Sequence, residues 1–331
     1  MNCRSLLAVL AVVPSLASAQ MTIGRPQTQI ARPQMIAMRE PALYVFDHYK
    51  VNGTDFLMHY MDDITGTAHS SEPFTGGIQG MASDRMGNVY AAVWVGPSEP
   101  TYVMHMKKVG RFTGPLKRAT ALTTDYQGRI YITDGELGQI IRIDDLNGTN
   151  LVVFGSRGTG IGQFVNPSGI AVDRAGHIYV ADYGNNRIVR IDDMNGEGWR
   201  TYNGAAYGGL GLQVDGAKSI ALDSKGRLYY VRSDNGYVIR VDDMSGSNMV
   251  RWGGAAGPAG SGYFLVEPTS IAIDSNDRIY LADRGAGMVS RIDDMTGANR
   301  TVLFKDASGN LWKRPELLAV FYPRADRTII R

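Results

Sequence analysis

Residues 166–204 read NPSGIAVDRAGHIYVADYGNNRIVRIDDMNGEGWRTYNG. Ile170–Val172 is a short apolar run. Asp173-Arg174-Ala175-Gly176 has turn chemistry, with Asp at its start and a Gly that tolerates φ > 0 at its end. Ile178–Ala181 is a second apolar run, followed by the polar loop Asp182–Asn186. Arg187–Ile191 is a third, Asp193–Gly196 another turn, and Trp199–Tyr202 a fourth. Strands of about four to six residues between such turns predict a four-stranded antiparallel meander. The inner runs lack clean apolar–polar alternation, as expected when a sheet is covered on both faces.

The unit recurs. Asp-Asp-x-x-Gly stands at Asp62–Gly66, Asp144–Gly148, Asp192–Gly196, Asp242–Gly246 and Asp293–Gly297, and the last four start 48, 50 and 51 residues apart. The first turn begins at Asp84, Asp125, Asp173, Asp223 and Asp274; it closes on Gly except in the last, where Asp277 takes the place. Tyr90, Tyr131, Tyr179, Tyr229 and Tyr280 mark the second strand, and Arg142, Arg190, Arg240 and Arg291 the third. A period of this size means one supersecondary unit repeated about an axis. Four-stranded units of roughly 40–50 residues packed radially make a β-propeller.

The pattern P-x-G-I-A-V-D-x-x-G-x-I-Y-V-A-D-x-x-N-N-R-I at 167–188 resembles an NHL repeat, and the likeness extends well over 118–304 and loosely over 76–110. The resemblance implies six blades. Five first strands begin near Ile78, Ala121, Ile170, Ile220 and Ile271. The sixth blade is split: 315–320 (PELLAV) aligns with 167–172, 42–47 (ALYVFD) with a second strand, and 56–63 (FLMHYMDD) with a third. The expected fold is therefore all-β, a six-bladed propeller of four-stranded antiparallel blades, its ring closed by pairing N- and C-terminal strands so that no edge stays open. The second blade diverges most: Gly96–Pro100 replaces the polar loop and no Asp-Asp follows.

The N-terminus reads as a targeting segment. Arg4 supplies charge, Leu6–Val13 is a short apolar run, and Ala17-Ser18-Ala19 has the A-x-A form of a cleavage site. We expect residues 1–19 to be a signal peptide, 20–41 an extended arm, and 42–331 the propeller, delivered to the periplasm or medium after cleavage near Ala19. The apolar run falls short of the ~20 residues that span a bilayer, so no transmembrane segment is expected. Cys3 is the lone cysteine, so the processed chain is held without disulfides. A net charge of +2, with no Lys/Arg run, argues against nucleic acid. Asn52, Asn147 and Asn299 form glycosylation sequons that matter only in a eukaryotic secretory route. The chain is read as a monomer.

Residues that recur in every blade serve the scaffold, so site candidates are sought among those that vary. The Asp-Asp-x-x-Gly turns are read as caps and the aligned Arg residues as structural partners. The first strand of a blade lines the channel, and the positions just before it ring one mouth. One ring comprises Gln79, Thr120, Ser168, Lys218, Thr269 and Glu316; the next outward includes Arg118, Asn166, Glu267 and Arg314. Lys218 and Glu316, the charged pair of the inner ring, either face a shared ligand or pair with each other. At the ends of the second strands Asp47, Asp134, Asp182 and Asp283 recur as loop caps, and Arg232 breaks that pattern. The Gly/Ala-rich insertions at 207–215 and 252–264 lie on the same face and either shape a binding surface or fill space.

These residues point to a binding or scaffold module for a protein, peptide or glycan at the channel mouth, with no cofactor. The alternative is a calcium-dependent hydrolase or lactonase using oxygens of Glu316, Asn166 and Glu267. A calcium ion needs six to eight converging oxygens, and inward carboxylates and amides are sparse in the other blades. A zinc lyase needs converging His ligands, and none of the five His sits at a channel position.

Overall fold

The structure is a computed structural model. It describes residues 42–47, 57–61, 64, 69–74, 76–96, 99, 101–204, 214, 216–254, 265–303 and 315–321. The signal-peptide and arm expectations, most of the Gly/Ala-rich insertions and the candidate Arg314 lie outside them.

Six four-stranded antiparallel sheets form the blades. Blade 4 is made of Pro167–Val172, Ile178–Asp182, Arg187–Ile191 and Arg200–Tyr202, matching the reading of 166–204 strand for strand. The polar loop closes as one 3-10 turn, Tyr183–Asn185. First strands run Gly77–Ser83, Ala119–Thr124, Pro167–Val172, Ala217–Leu222 and Pro268–Ile273 in blades 2 to 6. Blade 1 is the composite: Pro315–Phe321 is its innermost strand, followed outward by Ala42–Asp47, Leu57–Met61 and His69–Pro73. Leu43 faces Val320 and Tyr44 faces Ala319 across that join. One strand of the last-made segment thus completes a sheet begun at the other end of the chain, and the ring has no open edge.

The core lies between blades. Six buried apolar clusters occur among the described residues, each drawn from two neighbouring blades. The second strand of blade 4 shows how. Ile178 and Val180 pack toward blade 3, while Tyr179 and Ala181 pack toward blade 5. Successive side chains point to opposite faces and both faces are covered, which is why the strand is apolar throughout. Fully burying one such isoleucine or valine stabilises by about 1.5–3 kcal/mol.

The turns carry a second repeat. In each first turn one Asp oxygen accepts two backbone N–H groups, as Asp223 does from Lys225 and Arg227. Its other oxygen accepts from the residue four places on and from the strand tyrosine: Arg227 Nε at 2.5 Å and Tyr229 Oη at 3.1 Å. Asp125 with Arg129 and Tyr131, and Asp274 with Arg278 and Tyr280, repeat the cluster. The recurring tyrosine is therefore the turn's partner. Burial, reinforced by Asp125, pushes Tyr131 up to about 12. Asp277 sits at φ 62°, a left-handed value that favours Gly. Its carboxylate bonds the backbone N–H and hydroxyl of Ser224 in the next blade, which offsets that strain.

In the Asp-Asp-x-x-Gly turns the second Asp caps its own loop, Asp193 accepting from Asn195 N and Glu197 N. Hydrogen bonds from the hydroxyls of Thr149, Ser245 and Thr296 hold Asp145, Asp243 and Asp294 below the ordinary carboxylate range, and the Asn195 backbone N–H does the same for Asp193. The first Asp meets the third-strand Arg, Asp192 with Arg190 at 2.8 Å and Asp242 with Arg240 at 3.4 Å. Both sets are scaffold.

Candidate functional site: a ring of bulges at one channel mouth

Each first strand contains one β-bulge at the same place. In blade 4 Pro167 faces Asp182 and Gly169 faces Ala181, so Ser168 has no cross-strand partner. The unpaired residue is Gln79 in blade 2, Thr120 in blade 3, Lys218 in blade 5 and Thr269 in blade 6. In blade 1 Asp47 faces Pro315 and Phe46 faces Leu317, which leaves Glu316. A bulge adds one residue to a strand and re-aims its side chain. Here six of them line one cavity of about 670 Å³ along the ring axis. This is the inner ring found by alignment. The alignment gave the positions; the bulge is the physical reason they face the channel.

The six divide by whether they donate to the next blade. The three hydroxyl residues bind the neighbouring blade. Thr120 Oγ1 donates to the Pro167 carbonyl at 2.5 Å, Ser168 Oγ to that of Ala217 at 2.9 Å, and Thr269 Oγ1 to that of Glu316 at 2.8 Å. A donor placed there staples one first strand to the next. Gln79 and Lys218 make no such bond among the described residues, and the Glu316 carboxylate has no hydrogen to donate. Ser233 takes over the staple beside Lys218, its Oγ donating to the Pro268 carbonyl at 2.6 Å. Blades also approach closely just beyond the bulge: a Cβ on Gly80 would lie 2.7 Å from Ala121 Cα.

Of the two arrangements left open for Lys218 and Glu316, a shared ligand or a mutual pair, the mutual ion pair does not occur among the described residues. Arg284, the first residue after the second strand of blade 6, forks onto the Glu267 carboxylate and also reaches Glu316 Oε1 at 3.2 Å. The guanidinium geometry suits two carboxylates at once. Glu316 is thus engaged by Arg284, and Lys218 has no ion-pair partner among the described residues. Burial, with Arg284 nearby, lowers the Lys218 pKa against the opposing pull of Glu316 and Asp234. Lys218, Arg284 and Glu316 are the charged residues lining the cavity among the described residues.

The outer candidates sit at the rim. Arg118 Nη2 donates to Asn166 Oδ1 at 2.6 Å, joining blades 3 and 4. Asn166 borders the cavity; Arg118 and Glu267 stand back from it. The recurring second-strand Asp residues cap the segment entering the first strand as well as the following loop. Asp134 accepts from Lys117 N and Arg118 N on one oxygen and from Glu136 N and Leu137 N on the other. Asp283 accepts from Val266 N, Glu267 N and Ala286 N, and burial raises its pKa against those bonds. Arg232, which breaks that pattern, is buried and meets Asp234 at 2.8 Å; it does not border the cavity.

Two cavity residues, Arg284 and Tyr183, were missed in the sequence. Both follow the last residue of a second strand, where Gly135 and Ser233 stand in other blades. Extending the alignment by one residue would have exposed them as varied positions.

A family model for the NHL repeat matches residues 164–191. The chain is a six-bladed β-propeller that carries an NHL repeat in its fourth blade. Among solved structures it is similar to a nidogen/laminin complex, at 16% identity and a TM-score of 0.61, over 86% of this chain and 99% of that one. It is also similar to virginiamycin B lyase from Staphylococcus aureus, at 20% identity and a TM-score of 0.49, over 69% of this chain and 70% of that one. At such identity the first likeness speaks to the fold alone. The sequence finds no match among curated proteins. The NHL match covers blade 4 up to the end of its third strand, the stretch in which turn, bulge and strand chemistry all follow the repeat.

Proposed function

We propose that this NHL propeller is an exported binding module that takes a protein, peptide or glycan ligand over the bulge-ring mouth of its channel. The observation that carries this reading is the ring itself. Six blades built on one plan place five different residue types around one opening, and one of these residues, Lys218, is a half-buried cation without an ion-pair partner among the described residues. A scaffold position gains nothing from such variation, whereas a recognition surface does. A solved structure of the same fold is a nidogen/laminin complex, which is a precedent for protein binding by this architecture. The export reading rests on Arg4, Leu6–Val13 and Ala17-Ser18-Ala19.

The oxygens that a calcium-dependent hydrolase would use at this mouth are engaged elsewhere. Glu267 and Glu316 serve Arg284, and the Asn166 carbonyl serves Arg118. This favours the binding reading.

The test has two parts. The full chain is expressed in a bacterial host with an outer membrane, and the exported product is sequenced from its N-terminus; a start at Gln20 is expected, and retention of uncut chain in the cytoplasm would overturn export. The purified product is then screened on glycan and peptide arrays beside a Lys218→Met variant of equal melting temperature. Ligands retained by the parent and weakened by the variant support the mouth as the site. Ligands retained equally by both would move the site off the mouth.

A further inference from the structure

Lys218 occupies the bulge of blade 5, and Gln79 occupies that of blade 2, diametrically across the six-membered ring. Glu316 and Thr269 fill the bulges of blades 1 and 6. Three facts about the mouth point the same way. The Lys218 ammonium is taken partly out of water by the cavity wall, which is unfavourable for a cation unless an anion meets it. The other cation lining the cavity, Arg284, is already bound to two carboxylates, Glu267 and Glu316. The Gln79 amide makes no side-chain hydrogen bond among the described residues, so its donors remain available to a ligand oxygen.

The wall supplies little competition. Below the ring Gly80, Ala121, Gly169 and Ala171 alternate with hydroxyls that already meet backbone groups, Ser83 with Val320, Thr124 with Ser83, Ser219 with Ile271 and Ser270 with Leu318. On the surrounding face, Tyr183 is 37% exposed and Val266 is 54% exposed, following a second strand and preceding a first strand respectively. An anionic group held at Lys218 would therefore leave the rest of its carrier against exposed apolar surface at the rim.

We propose that the channel mouth recognises a carboxylate, bound by the Lys218 ammonium. This rests on the reading of the mouth as the binding face and deepens it by naming the group bound. The carboxylate is the chemistry shared by an acidic side chain of a peptide and by a sugar acid, and either source presents it on a carrier small enough to enter about 670 Å³. A compact ammonium meets a single carboxylate as a point charge. The hydroxyls of Thr120, Ser168 and Thr269 are committed to neighbouring carbonyls, so the ring's recognition falls on Lys218 and Gln79. The charged groups facing Lys218 are Arg284, Glu316 and Asp234. Its lowered pKa means that its charge, and with it carboxylate binding, is lost at a lower pH than for a surface lysine.

The experiment is titration of the same purified exported product by calorimetry and NMR with three probes: N-acetyl-aspartate amide, glucuronate, and N-acetyl-asparagine amide as the uncharged control. Saturable binding of at least one carboxylate, absent for the control, is expected, with affinity falling as salt is raised. Lys218→Met should weaken it by tenfold or more, and Lys218→Arg should retain most of it. Preference for the aspartate or the glucuronate probe identifies the source as peptide or sugar acid. Melting temperatures show that each variant is folded. Binding of neither carboxylate, or equal binding by parent and Lys218→Met, overturns the proposal. If the arrays nevertheless return a ligand without a carboxylate that Lys218→Met weakens, the mouth remains the binding face and only the carboxylate assignment fails.

Discussion

The two ends of each first strand obey opposite rules. At the turn end, the Asp–Arg–Tyr cluster is repeated almost unchanged, with Asp125, Asp223 and Asp274 each meeting two backbone N–H groups, an arginine and a tyrosine. At the bulge end one residue per blade is free to differ, and Gln, Thr, Ser, Lys, Thr and Glu all occur around blades 2 to 6 and 1. The turn has to satisfy buried polar groups, and only a carboxylate of that length does so. The bulge residue has no cross-strand partner to satisfy. Freedom from pairing is what makes it available for function.

The comparison breaks most sharply at the turn. Asp223→Ala removes a buried carboxylate and leaves Arg227, Tyr229 and two N–H groups without it; a loss of about 3–5 kcal/mol is expected, read by urea denaturation. Next in size is overpacking beyond the bulge. Gly80→Val puts a branched side chain against Ala121 and should cost about 1–3 kcal/mol in the same assay. Within the ring, Thr120→Val removes one staple to blade 4 and should cost about 1 kcal/mol, while Lys218→Met should change stability by less than about 0.5 kcal/mol. A large cost for Lys218→Met would make it a structural residue and erase the distinction between the two ends.

The smallest effect is read by titration. Tyr131 should ionise near pH 12 by ultraviolet absorbance, and Asp125→Asn should lower that value. The sign follows from linkage: a phenol whose folded pKa is raised contributes stability that is present below its unfolded pKa of about 10 and is lost as pH rises toward the folded value. The turn carboxylates run the other way. Asp145, Asp193, Asp243 and Asp294 are depressed, so their contribution is present above the ordinary carboxylate pKa and is lost as pH falls through the folded values.

Much of the fold was legible because it is local. Asp173–Gly176 and Asp193–Gly196 announce turns, and the runs between them have the length of strands. The split blade was legible too, since PELLAV and ALYVFD each keep the pattern of one strand of the repeat. The site was legible in position and incompletely in content. The ring from Gln79 to Glu316 follows from alignment, but Arg284 and Tyr183 fall one residue outside the positions compared. Arg232 stood out by breaking a repeat, and the fold buries it beside Asp234 instead of turning it to the cavity.

By itself the sequence determined the number and order of the blades, the chemistry of their turns, and which positions vary. Those depend on spacing along the chain and on the backbone preferences of Asp, Gly and β-branched residues. The tertiary structure decided which varied side chains meet. Arg284 reaches Glu316 across 32 residues of chain, and Lys218, in the neighbouring blade, is left as the cavity cation without an ion pair among the described residues. That outcome depends on how strands of different blades are set in register around a common axis, and a charge is paired or unpaired only once the ring has closed.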